Sequence, residues 1–71
     1  MTVILDEKKL SSMIKSSRKK AGLSQLELAE LAGVGKTLVF NLEKGQANAQ
    51  FENLLKILRV LNIKIYAEAA E

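Results

Sequence analysis

The sequence predicts one all-α domain of four to five helices over residues 1–71, ending in a short β-strand. Three observations support this fold. The 71 residues suffice for a single small core. Apolar residues recur at helical spacing in four segments, which glycines or polar loops separate. From Ile63 to Glu68, apolar and polar residues alternate, which is typical of a strand buried on one side.

The composition excludes several classes of function. Cys, His, Trp and Pro are all missing, so the chain has no disulfide, no ordinary zinc site and no imidazole base. Its apolar stretches are too short for a membrane span or a signal-peptide core. We therefore expect a soluble, cytoplasmic protein without metal or cofactor.

The charge is modest and local. The 11 Lys and Arg residues against 8 Asp and Glu residues give +3. Basic residues cluster at Lys15, Arg18, Lys19 and Lys20. This total is compatible with any solvated surface, so charge alone does not indicate a function.

The first helix is predicted over about residues 7–21, after a β-branched run at 2–5 that could be a strand. Asp6 can cap its start, and Gly22 can supply the left-handed stop. Its apolar or small residues fall on one predicted buried face, consisting of Leu10, Met13, Ile14, Ser17 and Ala21.

Two short helices follow, joined by a tight turn. Ser24 and Glu27 form a capping box that starts a helix at Gln25, and Gly33 ends it. The next helix is predicted over 36–44, closed by Gly45. Because the connection is short, the helices must cross steeply. The crossing is predicted to be filled by Leu28, Ala29, Ala32, Val39 and Leu42.

The fourth helix is predicted to be apolar on two sides. One stripe consists of Phe51, Leu54, Leu55, Leu58 and Leu61, and the helix is expected to end near Asn62. Ile57 and Val60 add a second stripe that one chain cannot easily cover.

The lone strand also needs a partner, either the run Val3–Leu5 or a second copy of the chain. We favour a two-fold homodimer through the helix and strand at 51–68. Its predicted interface residues are Ile57, Val60, Ile63, Ile65 and Tyr66.

The spacing of small and apolar residues over 25–44 predicts a helix-turn-helix. In this motif the first helix braces across DNA phosphates while the second presents its outer face to the major groove. An ordinary helical hairpin in a small bundle is the alternative.

The stretches Arg18–Gln25 and Leu28–Val34 resemble the Cro/C1-type, or XRE-type, helix-turn-helix repressors, with likeness over residues 10–62. More narrowly, Gly35–Gly45 and Leu54–Ile65 are similar to HipB-type antitoxins. The resemblance implies a lambda-repressor-like fold with a strand paired across a homodimer. It also implies operator DNA as a partner, repression of a shared operon, and a toxin that is usually a HipA-like kinase.

The resemblance also implies roles for single residues. Lys36, Thr37 and Asn41 match base-reading positions, where they would meet guanine, a thymine methyl and adenine respectively. Gln25 would contact a phosphate and help to orient these readers. Further contacts to the DNA backbone are predicted for Lys44, Asn48, Arg18 and Lys19.

The sequence departs from the family pattern at two positions. Gly35 stands where many relatives have Ser or Thr, so a hydroxyl that could cap the helix and contact phosphate is missing. Phe40 is an apolar residue on the face of the second motif helix that is expected to be solvent-exposed. It could meet thymine methyls or pack towards the loop at 46–48, and packing is favoured. Since only six residues follow Ile65, we expect a toxin to contact the folded body.

Other functions remain as alternatives. Gly35-Lys36-Thr37 mimics the end of a phosphate-binding loop, but Glu30 stands where that motif needs glycine, and an enzyme is not expected. The chain could be a solitary regulator, or a protein-interaction module with an apolar patch of Leu26, Leu31, Leu38 and Phe40. As a bacterial regulator it would be associated with the nucleoid.

Overall fold

The computed structural model describes residues 7–46 and 50–65. Within them lie four helices, α1 (Glu7–Lys20), α2 (Gln25–Ala32), α3 (Lys36–Glu43) and α4 (Phe51–Val60). Helix α2 packs against both α3 and α4, and α1 packs against α3. The predicted all-α helix-turn-helix architecture is confirmed. The predicted roles of Val3–Leu5, Asn48 and Tyr66 concern residues outside the described ranges.

The ends of α2 are set by local hydrogen bonds, as the sequence predicts. The Ser24 hydroxyl accepts from the Glu27 backbone N–H at 3.0 Å, and the Ser24 N–H donates to Glu27 Oε1 at 2.9 Å. The backbone hydrogen bond from Ser24 is the main reason that the pKa of Glu27 lies below its ordinary value of 4.5. At the other end, Gly33 adopts the left-handed conformation with φ 73°.

All four helices contribute to one apolar core. The crossing of α2 and α3 is filled as predicted, with Leu28, Ala29, Val39 and Leu42 buried and Ala32 half-buried. The complete set of buried apolar residues in the described ranges is Ile14, Leu28, Ala29, Val39, Leu42, Ile57 and Leu58.

The buried face of α1 differs from the predicted one. Ser11, Ile14 and Arg18 are buried, whereas Met13 and Ala21 are exposed. The physical reason is that two polar residues find partners on α3. The Ser11 hydroxyl donates to the Leu42 carbonyl at 2.6 Å, which satisfies both groups inside the protein.

The prediction for α4 is wrong at two residues. Ile57 is completely buried in the core of its own chain, so one chain does cover part of the second apolar stripe. Phe51 instead keeps 65% of its surface exposed, because it is the first residue of α4, one turn before the first α4 residue packed on the core, Leu54. Leu54, Val60 and Leu61 are partly buried against the core.

Helix α4 is followed by a turn at the predicted position. Asn62 has a φ of 58°, and the Ile63 N–H donates to the Leu58 carbonyl at 2.9 Å. Ile63 and Ile65 then pack partly against the core. Residues 63–65 form no strand in this single chain, and 66–68 lie outside the described ranges, so the pairing of this segment across a homodimer stays a prediction.

Candidate nucleic-acid interface

The outer face of α3 carries the predicted base-reading residues. Lys36 and Thr37 are exposed and Asn41 is half-buried. The opposite side of the helix, at Val39 and Leu42, is buried in the core. The structure therefore brings Lys36, Thr37 and Asn41 together on one outward face at helical spacing. Their contact with bases stays a prediction.

Helix α3 begins without a side-chain cap. Gly35 occupies the capping position in an extended conformation, and no side chain accepts a hydrogen bond there. A Cβ atom added to Gly35 would meet nothing within 4 Å. The position thus has room for a larger residue, and the hydroxyl common in relatives is missing for no steric reason.

Arg18 lies in a buried ion pair, not on the DNA-facing surface. Its Nε donates to Glu43 Oε2 at 2.7 Å and its Nη2 to Glu43 Oε1 at 3.0 Å. Nη1 donates to the Leu23 carbonyl at 2.8 Å. The hydrogen bond to Glu43 raises the pKa of Arg18 above its ordinary value. Because all three guanidinium nitrogens already have partners within the chain, the structure favours a structural role for Arg18, and its predicted contact with a phosphate stays a prediction.

Gln25 belongs to the same hydrogen-bond network. Its Nε2 donates to Glu43 Oε1 at 3.3 Å, and its side chain is half-buried. Glu43 at the end of α3 is thereby joined to the end of α1 and to the first residue of α2. This network fixes the recognition helix relative to the start of α2, where a phosphate is predicted to bind.

The network removes the acidic charge of α3 from its surface. Glu43 is the acidic residue of this helix, and its side chain is only 3% exposed. Lys36 is exposed on α3, Lys44 is exposed directly after the helix, and Lys19 is exposed at the end of α1. The exposed charges of α3 are therefore cationic, which suits an anionic partner.

Sequence reasoning missed the role of Arg18 and Glu43 as partners. A signal was present on α1, since Arg18 follows Ser11 and Ile14 at helical spacing on the buried face. No local pattern identifies Glu43, which lies 25 residues away in the chain.

Phe40 is exposed on the reading face and contacts Lys44. The ring keeps 43% of its surface exposed. The favoured prediction that it packs towards the loop at 46–48 stays a prediction, because residues 47 and 48 lie outside the described ranges. The Lys44 ammonium lies 4.3 Å from the ring centroid, within the range of a cation–π interaction. Lys44 follows Phe40 by one helical turn, which explains how the two side chains meet.

The described residues offer neither a metal site nor a membrane-spanning helix. In residues 7–46 and 50–65, no group of three or more His, Cys, Asp and Glu side chains is placed to hold a metal ion. Within the same ranges, no helix has both the length and the apolarity needed to cross a membrane.

Residues 14–66 match the helix-turn-helix family HTH_3. An uncharacterised HTH-type transcriptional regulator of Haemophilus influenzae is 46% identical over 46 residues, covering 65% of this chain and 47% of the relative. The HTH-type regulator y4mF of Sinorhizobium fredii is 36% identical over 56 residues, covering 79% of this chain and 74% of the relative. The chain thus spans about half the length of the Haemophilus relative.

Several solved structures share the fold. SinR in complex with DNA superposes with a TM-score of 0.70 at 38% identity, covering 78% of this chain and 89% of SinR. A HipB–O4 20mer complex gives 0.80 at 25% identity, covering all of both chains. The HipA–HipB–O2–O3 complex gives 0.80 at 24% identity over the same full coverage, which shows likeness of fold alone.

The matched region covers α2 and α3, including the outward reading face of α3, together with the second half of α1 and all of α4. The chain therefore belongs to the HTH_3 family of helix-turn-helix proteins, that of the Cro/C1-type, or XRE-type, DNA-binding proteins.

Proposed function

We propose that this chain is a sequence-specific transcriptional repressor that binds double-stranded operator DNA as a homodimer. The observation that carries the proposal is the outward face of α3, where Lys36, Thr37 and Asn41 lie together on a helix held from behind by the Arg18–Glu43 ion pair. A rigid helix with polar and cationic side chains on its free face suits the major groove. The proposed activity is binding, without catalysis.

Each proposed contact follows from side-chain chemistry. Lys36 donates to guanine O6 and N7, Asn41 pairs with both hydrogen-bonding groups of adenine, and the Thr37 methyl meets a thymine methyl. Gln25, Lys19 and Lys44 contact phosphates and position the helix. Arg18 acts as a positioning residue behind α3.

The proposed homodimer places two copies of α3 in successive major grooves, about 34 Å apart. Support comes from the family resemblance and from the apolar surface that follows α4. Val60, Ile63 and Ile65 are only half-buried in the single chain, so part of their apolar surface remains for a partner. Ile57 is not included in the proposed interface, because it is completely buried within its own chain.

We further propose that the repressor is the antitoxin of a toxin–antitoxin operon and binds a HipA-like kinase. Support comes from the full-length likeness to HipB and from the similarity of Gly35–Gly45 and Leu54–Ile65 to HipB-type antitoxins. A solitary bacterial regulator is the alternative, and the likeness to SinR favours it. A kinase-like reading frame beside this gene would favour the antitoxin.

A second candidate function is a protein-interaction module. The observation that favours it is the exposure of large apolar side chains on α2, with Leu31 63% and Leu26 50% exposed. The two functions differ in their response to salt. DNA binding is weakened steeply by added salt through counterion release, whereas apolar partner binding is not.

The experiment selects a binding site from a pool of random duplexes and measures affinity by fluorescence anisotropy at several salt concentrations. We expect Lys36→Ala and Asn41→Ala each to weaken binding by about 1–3 kcal/mol and to relax base preference at one position of the site. Lys8→Ala is the matched control. It removes the same charge from an exposed residue about 17 Å along α1 from Lys19.

The control variant should keep the base preference of the unmodified protein. Unchanged selectivity in both Lys36→Ala and Asn41→Ala would show that neither residue reads a base. If no duplex were enriched at all, the repressor would be replaced by the interaction module as the proposed function.

A further inference from the structure

We infer that Phe40 is a specificity-determining residue that reads the 5-methyl group of a pyrimidine, thymine above all, in the major groove. The inference rests on the proposed DNA-binding function and deepens it. It assigns a second methyl reader, beside Thr37, to a face whose other proposed readers are polar or cationic.

Phe40 lies in the middle of the reading face. It follows Lys36 by four residues and Thr37 by three, and it directly precedes Asn41. At 1.5 Å per residue, Phe40 lies about 6 Å along the helix axis from Lys36. Phe40 is the fifth of the eight residues of α3 and lies along the axis between the proposed base readers Thr37 and Asn41.

The exposure of Phe40 is not a consequence of core packing. Its neighbour Val39 is completely buried and Leu42 nearly so, which fixes the side of α3 that faces the core. Phe40 is on the other side with 43% of its surface in water. Burial of this apolar surface against a partner would be favourable, and the partner of this face in the proposed function is the major groove.

Lys44 holds the ring from one side. Its ammonium lies 4.3 Å from the ring centroid, an attractive geometry for a cation over an aromatic face. A ring restrained before binding loses less conformational freedom on binding. The remaining ring face and edge stay available for an apolar contact, and the positive charge beside them favours approach to the phosphates.

The chemistry of the groove then identifies the ligand. A phenyl ring has no conventional donor or acceptor, so it cannot pair with the N7, O6, N4, N6 or O4 atoms displayed by the bases. The apolar group displayed in the major groove is the C5-methyl of thymine. The same methyl is present on 5-methylcytosine, so the ring recognises a methylated C5 position whichever pyrimidine carries it.

The test starts from the duplex that the unmodified protein selects. Each thymine of a half-site is replaced in turn by deoxyuridine, which removes the methyl and leaves the hydrogen-bonding groups in place. At the position that Phe40 contacts, distinct from the thymine assigned to Thr37, we expect a loss of about fourfold in affinity per half-site, or about fifteenfold with both half-sites replaced, from burial of one methyl group each. At that position, 5-methylcytosine should bind about fourfold more tightly than cytosine.

In Phe40→Ala the methyl should no longer change the affinity at that position. Phe51→Ala is the matched control, because Phe51 is an exposed phenylalanine at the start of α4 and not part of α3, and this variant should keep the full methyl effect. Should Phe40→Ala fail to fold, Phe40→Gln, which keeps a good helix former on the exposed face, gives the same comparison.

The outcomes separate this inference from the proposed function. If the unmodified protein enriches no duplex, the DNA-binding function itself is overturned. If it enriches a site at which no methyl removal has an effect, or at which every methyl effect persists unchanged in Phe40→Ala, the reader assignment is overturned and DNA binding stands.

Discussion

At the residue scale, two neighbouring basic side chains on α1 have different surroundings. Arg18 is buried against Glu43, whereas Lys19 is exposed at the same end of the helix. The sequence predicts a phosphate contact for both residues, because both are cations near the start of the motif. The planar guanidinium of Arg18 suits a two-point pairing with a carboxylate, which a lysine ammonium cannot reproduce.

Replacing Arg18 by Met is expected to destabilise the protein by about 3–5 kcal/mol. The reason is that Glu43, only 3% exposed, would be left as a buried charge without its partner. Urea denaturation followed by circular dichroism measures the change in the free energy of unfolding.

The double variant Arg18→Met/Glu43→Leu is the control for this prediction. Because it removes both charges, most of the lost stability should return. Equal destabilisation in the single and double variants would show that packing, and not the unpaired charge, causes the loss.

At the scale of the elements, helix ends are where the sequence is most informative. The capping box at Ser24 and the left-handed residue Asn62 mark boundaries through local hydrogen bonds and backbone conformation. These interactions span a few residues, so they can be recognised without knowledge of the tertiary structure. The two glycines that flank the turn between α2 and α3, Gly33 and Gly35, differ in their backbone conformation.

Gly33→Ser and Gly35→Ser are expected to change stability in opposite directions. Gly33 has a φ of 73°, so a side chain there should cost about 1–2 kcal/mol through backbone strain. Gly35 has an extended conformation with free space around it, so serine should stabilise the protein by about 0.4–1 kcal/mol through lower entropy of the unfolded chain. Thermal unfolding of the two variants measures both effects.

These variants control for each other, since the same substitution is made two residues apart. Destabilisation by Gly35→Ser comparable to that of Gly33→Ser would mean that α3 does not begin as described. A gain in DNA affinity in Gly35→Ser alone would additionally assign a phosphate contact to the introduced hydroxyl.

At the scale of the whole molecule, the proposed dimer depends on apolar surface beyond α4. Ile65→Lys is expected to convert the dimer to a monomer and to abolish tight DNA binding, because a lysine charge cannot be buried in an apolar interface without a partner. Sedimentation velocity at micromolar concentration measures the change.

Leu31→Lys serves as the control for the dimer. It introduces the same charge at an exposed apolar residue of α2, and the dimer should persist. A monomer for the unmodified protein at micromolar concentration would end the dimer proposal. Ile57→Lys is not a test of the dimer, since Ile57 is fully buried and its replacement should unfold the single chain.

The contrast between Ile57 and Phe51 shows where sequence reasoning about the whole molecule fails. Both are apolar residues of a helix whose pattern is apolar on two sides. Which of them is buried depends on how α4 sits on α2, and helical periodicity carries no information on that placement. The same holds for Arg18 and Glu43, whose pairing is decided by the packing of α1 on α3.

Because of where its charges lie, the stability of this protein and its binding to DNA should respond differently to added salt. The Arg18–Glu43 pair is buried and therefore little screened by salt, whereas Lys36 and Lys44 are exposed and strongly screened. A rise in ionic strength should thus release a bound duplex and leave the helices assembled. The protein could then be recycled from one duplex to another simply by changing the buffer, without refolding between rounds.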